Sequence, residues 1–209
     1  MQKLHYFFFI ICIVLGYKTN AQNFEAGVIL GLNTSQVSGD NLAGYNKPGL
    51  AFAGTLQKKI NEKSALEFRI AYSAKGSRDV PNFEKGKYTA YYLKLHYVEV
   101  PIFYRYNYKK FCLMAGPSIG FLLKSSIQNE SGFYPTNSPE NRPFNKIEIS
   151  TNFGVSYRLS NHFEIEVRSN DTFPFAPIRK HASGASFRWN FGQLNSLLTF
   201  GIKYNFKKS

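Results

Sequence analysis

The sequence predicts an all-β protein, an eight-stranded antiparallel up-and-down transmembrane β-barrel. Three observations point there. Apolar and polar residues alternate with a period of two in segment after segment, as in "LLTFGIKYNFKKS" at residues 197–209, which is the pattern of a strand with unlike faces. The connections between these segments alternate between long and short. Beyond Leu15 no stretch stays apolar for the roughly 20 residues a membrane helix needs, so only strands could cross a bilayer.

The chain opens with Lys3, an apolar run at 6–15 (YFFFIICIVL) and Thr19-Asn20-Ala21. A positive start, a short apolar core and a small residue at the cut describe a secretory signal peptide, with cleavage expected after Ala21. The run is too short for a spanning helix, and Tyr17, Lys18 and Asn20 follow it at once. Cys12 has too little sequence before it to serve as a lipoprotein attachment site. Residues 22–209 are then one outer-membrane β-barrel domain, with Cys112 as their single cysteine, so neither an internal disulfide nor a multi-cysteine metal site is expected. Loss of Lys3 and Lys18 lowers the formal charge by two from +13, leaving a basic chain.

Strands are expected at 24–33, 49–60, 65–76, 89–106, 111–124, 146–159, 163–172 and 190–206, each rich in β-branched and aromatic residues. The links 34–48, 77–88, 125–145 and 173–189 are long, and 61–64, 107–110 and 160–162 are tight. Sorting all long loops to one end and all tight turns to the other is the layout of an outer-membrane barrel, and a soluble sandwich has no reason to sort them so. The loop at 129–143 (NESGFYPTNSPENRP) is rich in Asn, Ser and Pro.

Faces follow from parity. Leu50, Phe52 and Leu56 oppose Ala51, Ala53, Thr55 and Gln57; Leu66, Phe68, Ile70 and Tyr72 oppose Glu67, Arg69 and Ser73; and the strands at 146–159 and 163–172 repeat the scheme. The polar face holds small residues, glutamate and arginine, whereas lysines gather at turns and strand ends (Lys58, Lys59, Lys63, Lys109, Lys110, Lys207, Lys208). A soluble exterior would be lysine-rich. Arginine pairing carboxylates two hydrogens at a time suits a closed interior. The expected interior network is Glu67, Glu99, Glu148, Glu164 and Glu166 with Arg69, Arg105, Arg158, Arg168 and Lys203, five acids against five bases. In the fourth strand the apolar parity switches near Tyr97-Val98, which predicts either a β-bulge turning Lys94 and His96 inward or a strand rising above the lipid before Tyr97. Aromatic girdles are expected from Tyr104, Tyr106, Tyr108, Phe111, Tyr157, Phe163, Tyr204 and Phe206 near the tight turns, and from Tyr72, Tyr91, Tyr92 and Phe121 near the long loops.

"TFGIKYNF" (199–206), with Thr199, Gly201, Tyr204 and Phe206 at its marker positions, resembles the β-signal by which the outer-membrane assembly machinery recognises a final strand. The stretches "GLNTSQVSGD", "AYSAKGS", "YVEVPIFYRY", "AGPSIGFLL" and "GVSYRLSNHFEIEVR" resemble the PorT-like outer-membrane β-barrel family of Gram-negative bacteria. The resemblance implies the fold and an outer-membrane location. Some relatives are linked to type IX protein secretion and gliding, a role that no quoted residue carries.

Candidate chemistry is sparse, and the chain is not expected to be an enzyme. His181 with Ser183 in the last long loop is placed like the residues of lipid-A-modifying barrel enzymes, but a lone pair in a loop makes no catalytic constellation. Glu164 and Glu166 share a face with Arg168 and fit a salt-bridge ladder better than acid–base work. No His or Cys pair has ligand spacing, so no metal or other cofactor is expected. Basic residues form no stripe along one element, so nucleic acid is not an expected partner. The expected partners are outer-membrane lipid, the outer-membrane assembly machinery and other envelope proteins. An eight-stranded barrel is about wide enough for side chains to fill, which disfavours a wide pore. The leading reading is a structural or partner-binding barrel, with a soluble lipocalin-like binding barrel, a narrow pore or a lipid-A-modifying enzyme as alternatives.

Overall fold

A computed structural model describes residues 24–206 apart from 41, 43, 87, 89, 130–131, 135–142 and 181–191. The expected signal peptide at 1–21 and the pair His181 and Ser183 lie outside the described residues. The strands are β1 (Phe24–Ser38), β2 (Lys47–Lys59), β3 (Ser64–Asp79), β4 (Tyr91–Tyr108), β5 (Phe111–Asn129), β6 (Gly132–Tyr134), β7 (Ile147–Arg158), β8 (Phe163–Thr172) and β9 (Leu194–Asn205). Eight of them are long. β6 is a three-residue extension that pairs only with the end of β5.

Each long strand pairs antiparallel with its neighbour in sequence, β4 pairs β5, and β9 returns to pair β1 from Gly27↔Asn205 to Ser38↔Leu194. The sheet is therefore closed. Closure leaves the long strands without an unpaired edge, which is the condition for strands to cross a hydrocarbon layer. The tight turns and both outer ends of the β1–β9 seam share one rim, and the long connections share the other. In the two-residue turn after β4, Lys109 takes φ 54°, the positive value a tight hairpin asks of its first residue.

The polarity of this sheet is inverted relative to a soluble barrel. Outward positions carry Leu30 at 70% exposure, Leu32 at 62%, Phe52, Ile70, Phe153 and Ile202, while inward positions bury Glu67 and Arg69 at 0% and 2%. A soluble protein rarely exposes an apolar patch beyond a few hundred Å². A lipocalin-like barrel needs its apolar face inside, so that alternative does not fit.

Toward the long loops the pattern reverses. Thr34, Gln36, Lys94, His96 and Lys124 face outward, while Val37, Leu93, Leu95, Tyr97 and Ile127 pack inside with Phe144 and Ile178. β4 thus keeps one inward parity throughout, and no bulge turns Lys94 and His96 inward. The extra residue belongs to β5, where the register steps from His96↔Lys124 to Tyr97↔Leu122 and leaves Leu123 unopposed. The switch in β4 marks an apolar plug in the upper lumen. For the same reason Tyr91 packs against that cluster instead of joining the upper girdle.

Near the tight turns the aromatic residues pack in two groups along a band. Phe163 and Tyr204 lie 5.2 Å apart, Tyr204 and Phe206 5.7 Å, and Phe111 and Tyr157 5.0 Å between ring centres.

Candidate functional site in the barrel lumen

Parity places the charges. Alternate residues of β3, β4, β7, β8 and β9 converge on the axis, and a narrow barrel brings their ends within bonding distance of one another. Glu67 lies at the centre of the lower lumen. Its Oε1 accepts from Arg69 Nε at 2.6 Å, and its Oε2 accepts from Arg105 Nη1 and Lys203 Nζ, both at 2.5 Å. The far side of the Arg69 guanidinium donates to both oxygens of Glu166 at 2.7 and 2.8 Å, a forked pairing that fixes orientation as well as charge. Arg105 Nη2 donates to Glu164 Oε2 at 2.6 Å. The Arg69 guanidinium also lies 4.5 Å from the centre of the Phe103 ring.

A second group sits nearer the long loops. Lys75 is ion-paired with Glu99 and with Glu148 at 3.1 Å, and donates to Asn170 Oδ1 at 2.7 Å. Glu148 Oε1 accepts from Thr172 Oγ1 and Asn195 Nδ2. Arg168 donates to Asn152 Oδ1 and Thr199 Oγ1, and the Glu166 beside it is paired across the lumen with Arg69.

Nine of the ten expected network residues are thus buried inside the barrel: Glu67, Arg69, Glu99, Arg105, Glu148, Glu164, Glu166, Arg168 and Lys203. Arg158 is not among them. It ends β7 at the lower rim, where the barrel opens and the side chain is exposed. Lys75 takes its place, so the network still joins five acids to five bases, and Lys47 at the start of β2 is a further buried base among the described residues. Lys75 continues the odd parity of Glu67, Arg69 and Ser73, and that continuation was the available signal. The amide and hydroxyl layer of Ser118, Ser150, Asn152 and Asn170 is a second feature that charge-pairing alone does not reveal.

The upper lumen closes by a loop cap. Asn145 N donates to Ile178 O at 2.7 Å and Asn145 Nδ2 to Pro177 O at 2.7 Å, tying together the segments that insert Phe144 and Ile178 into the barrel mouth. Arg179 lies 4.4 Å from the Phe144 ring centre and donates from Nε to Gln193 Oε1 at 2.9 Å. Asp40, in the loop after β1, sits near Ser77 and Arg179, and burial raises its carboxyl above the usual range despite those partners. Burial likewise lowers Arg179 from its ordinary value.

The residues of the assembly motif divide between the two faces. Thr199 and Gly201 point inward, with Thr199 Oγ1 donating to Asn33 Oδ1 at 2.8 Å and Gly201 opposite Gly31 across the seam. Tyr204 and Phe206 point outward into the lower aromatic band. Of the remaining histidines, His96 faces outward beside Tyr72, and His162 stacks on Tyr204 at the lower rim. Chemically the lumen is a set of mutually engaged charges under an apolar lid, an arrangement suited to filling a barrel.

Comparison with curated proteins gives no match. Among solved structures the chain is similar to Neisserial surface protein A, with 14% identity and a TM-score of 0.50 over 88% of this chain and 97% of that one. It is also similar to Ail, the attachment invasion locus protein of Yersinia pestis, with 12% identity and a TM-score of 0.48 over 88% and 99% of the two chains. At these identities the likeness concerns the fold. Residues 20–173 match the family model described as outer membrane protein beta-barrel domain, and the chain belongs to that family of outer-membrane β-barrel proteins.

Proposed function

We propose that this is a small structural or partner-binding barrel of the outer membrane that acts through its long loops or its opposite rim, and that it neither conducts solutes nor catalyses a reaction. The observation that carries the reading is the filled lumen, with paired charges below and the Phe144–Ile178 cap above. Surfaces left for function are the loops and the lower rim, where a cleft of about 730 Å³ is lined by Lys59, Lys63, Lys109, Arg158, Glu62 and His162. Export by a signal peptide cut after Ala21, and assembly through Thr199, Gly201, Tyr204 and Phe206, belong to the same reading. The resemblance to the PorT-like family supports a role beside the type IX secretion system. In that case deletion of the gene should reduce release of type IX cargo, and normal release would remove that role.

The test of the core reading joins fractionation to electrical recording. The protein should fractionate with outer membrane, migrate differently before and after boiling in detergent gels, and pass little or no current in planar bilayers. Steady ion currents would replace the interaction barrel with a narrow pore, and recovery as a soluble periplasmic monomer would remove the membrane reading altogether.

A further inference from the structure

We infer that the cleft at the tight-turn rim binds the peptide stem of the cell wall, an acidic peptide whose diamino acid keeps a free amine. The inference rests on the reading of a filled barrel that acts at its rims, and on the orientation with the long loops outside the cell, which turns this rim to the periplasm. The cleft is the lower mouth of the barrel. Its volume of about 730 Å³ suits a peptide of a few residues. The lining comes from β1, β2, β4, β7, β8 and β9, all round the mouth, so the cleft opens along the barrel axis and away from lipid. Buried Gln57 and Glu164 form its floor. Glu164 Oε2 accepts from Arg105 and Ser156 within the lumen, while its Oε1 accepts at 3.2 Å from Nδ2 of Asn205, another lining residue. The walls are tied together: Asn107 N donates to Lys63 O at 2.7 Å, Arg158 N to Lys110 O at 2.8 Å and Asn205 N to His162 O at 2.7 Å. Asn61 Oδ1 accepts from the amides of Lys63 and Ser64, which fixes the turn that presents Glu62 and Lys63. The backbone of the cleft is thus set before a ligand arrives, which lowers the ordering cost of binding.

Charge identifies the ligand. Glu25 is taken by Lys59 at 2.8 Å and Glu164 by Arg105 at 2.6 Å. Lys63, Lys109, Arg158 and Glu62 line the same cleft, and none of them forms an ion pair among the described residues. The cleft therefore presents three cations and one acid to whatever enters it. A stem peptide joined to its sugar carries three carboxylates and one amine, which is the complementary set. An acidic peptide without an amine would answer the cations and leave Glu62 facing like charge. Arg158 can hold a carboxylate through its planar fork, and the two lysines act as point charges. Tyr108, with Lys109 Nζ 5.6 Å from its ring centre, and exposed Phe206 offer apolar cover to the alkyl chain of the diamino acid.

The experiment uses purified full-length mature protein folded in neutral detergent and titrated by calorimetry with N-acetyl-L-alanyl-γ-D-glutamyl-meso-diaminopimelate. Wild type should bind this tripeptide, and should bind the form with lysine in place of diaminopimelate, which lacks one carboxylate, at least fivefold more weakly. Lys63→Gln/Arg158→Gln should weaken binding at least tenfold, while Lys94→Gln/Lys124→Gln toward the other rim should leave it unchanged. Glu62→Gln should weaken the tripeptide several-fold and leave binding of the form acetylated on its diaminopimelate amine unaffected. Lys63, Arg158 and Glu62 are exposed, and heat-modifiable gel mobility reports the folding of each variant. Equal binding of the two tripeptides, variants within twofold of wild type, or tighter binding of N-acetyl-triglutamate, which would make the cleft a dock for an acidic protein segment, overturns the site. Absence of peptide binding by a barrel that passes no current removes the site alone, whereas steady currents remove the filled-barrel reading and the site with it. A cysteine at Asn61 that reacts with an impermeant thiol reagent on intact cells, in a Cys112→Ser background, overturns the orientation and the proposal with it.

Discussion

Glu67 engages three cations at once, and its two neighbours Arg69 and Arg105 each hold a further glutamate. Removing one member of such a buried group leaves charge without compensation, which typically costs about 3 to 5 kcal/mol. Glu67→Ala should therefore sharply lower the unfolding midpoint in detergent–urea titrations, because Lys203, Arg69 and Arg105 would be left facing one another. Arg158→Ala should leave the midpoint where it is. An equal effect from both would show that the lumen is hydrated enough to screen its own charges. Sequence parity reached most of this network because a narrow barrel forces every inward side chain onto the same axis. It missed Lys75, whose inward position continues the parity past Ser73, and it extended the network to Arg158 because parity carries no information on where the barrel opens.

The element that departs most from the periodic reading is the upper part of β4 with its neighbours. Alternation alone cannot separate a displaced strand from a strand whose surroundings have changed. Here the surroundings change: above the belt water lies outside and an apolar plug lies inside, so the same parity carries the opposite polarity. The irregularity at Leu123 was not legible, since the run 121–123 is apolar at every position. The cap over this plug has its own pH dependence. Burial holds the Asp40 carboxyl above its unfolded value, so the folded cap binds a proton more readily than the open one. Its destabilising effect is complete above the folded value and fades as pH falls through the window toward the unfolded value. Hydrogen exchange at the Asn145 and Ile178 amides, corrected for intrinsic rate, should therefore slow relative to an open loop as pH falls, and Asp40→Asn should abolish that trend.

At the scale of the whole molecule, lipid outside and charge inside leave the closed sheet as the one arrangement that satisfies both surfaces. That was the most legible level of all, because loop sorting and face polarity are distributed over the entire sequence and survive errors at any single strand end. The seam between β1 and β9 joins residues as distant as Gly27 and Asn205. Contacts of such sequence separation carry the largest loop-closure cost and form late. Until they form, a sheet of the other long strands presents two open edges, and each unsatisfied backbone group in hydrocarbon costs several kcal/mol. A chain ending before Leu194 should consequently give no heat-modifiable band and no stable membrane fraction on immunoblots; a stable truncated form would mean that the edges find other partners. The seam also sets a requirement in time. Between the appearance of the first strand outside the cytoplasm and the arrival of the last, the polypeptide has no resting state of its own in the membrane, so its survival over that interval depends on being held by something else.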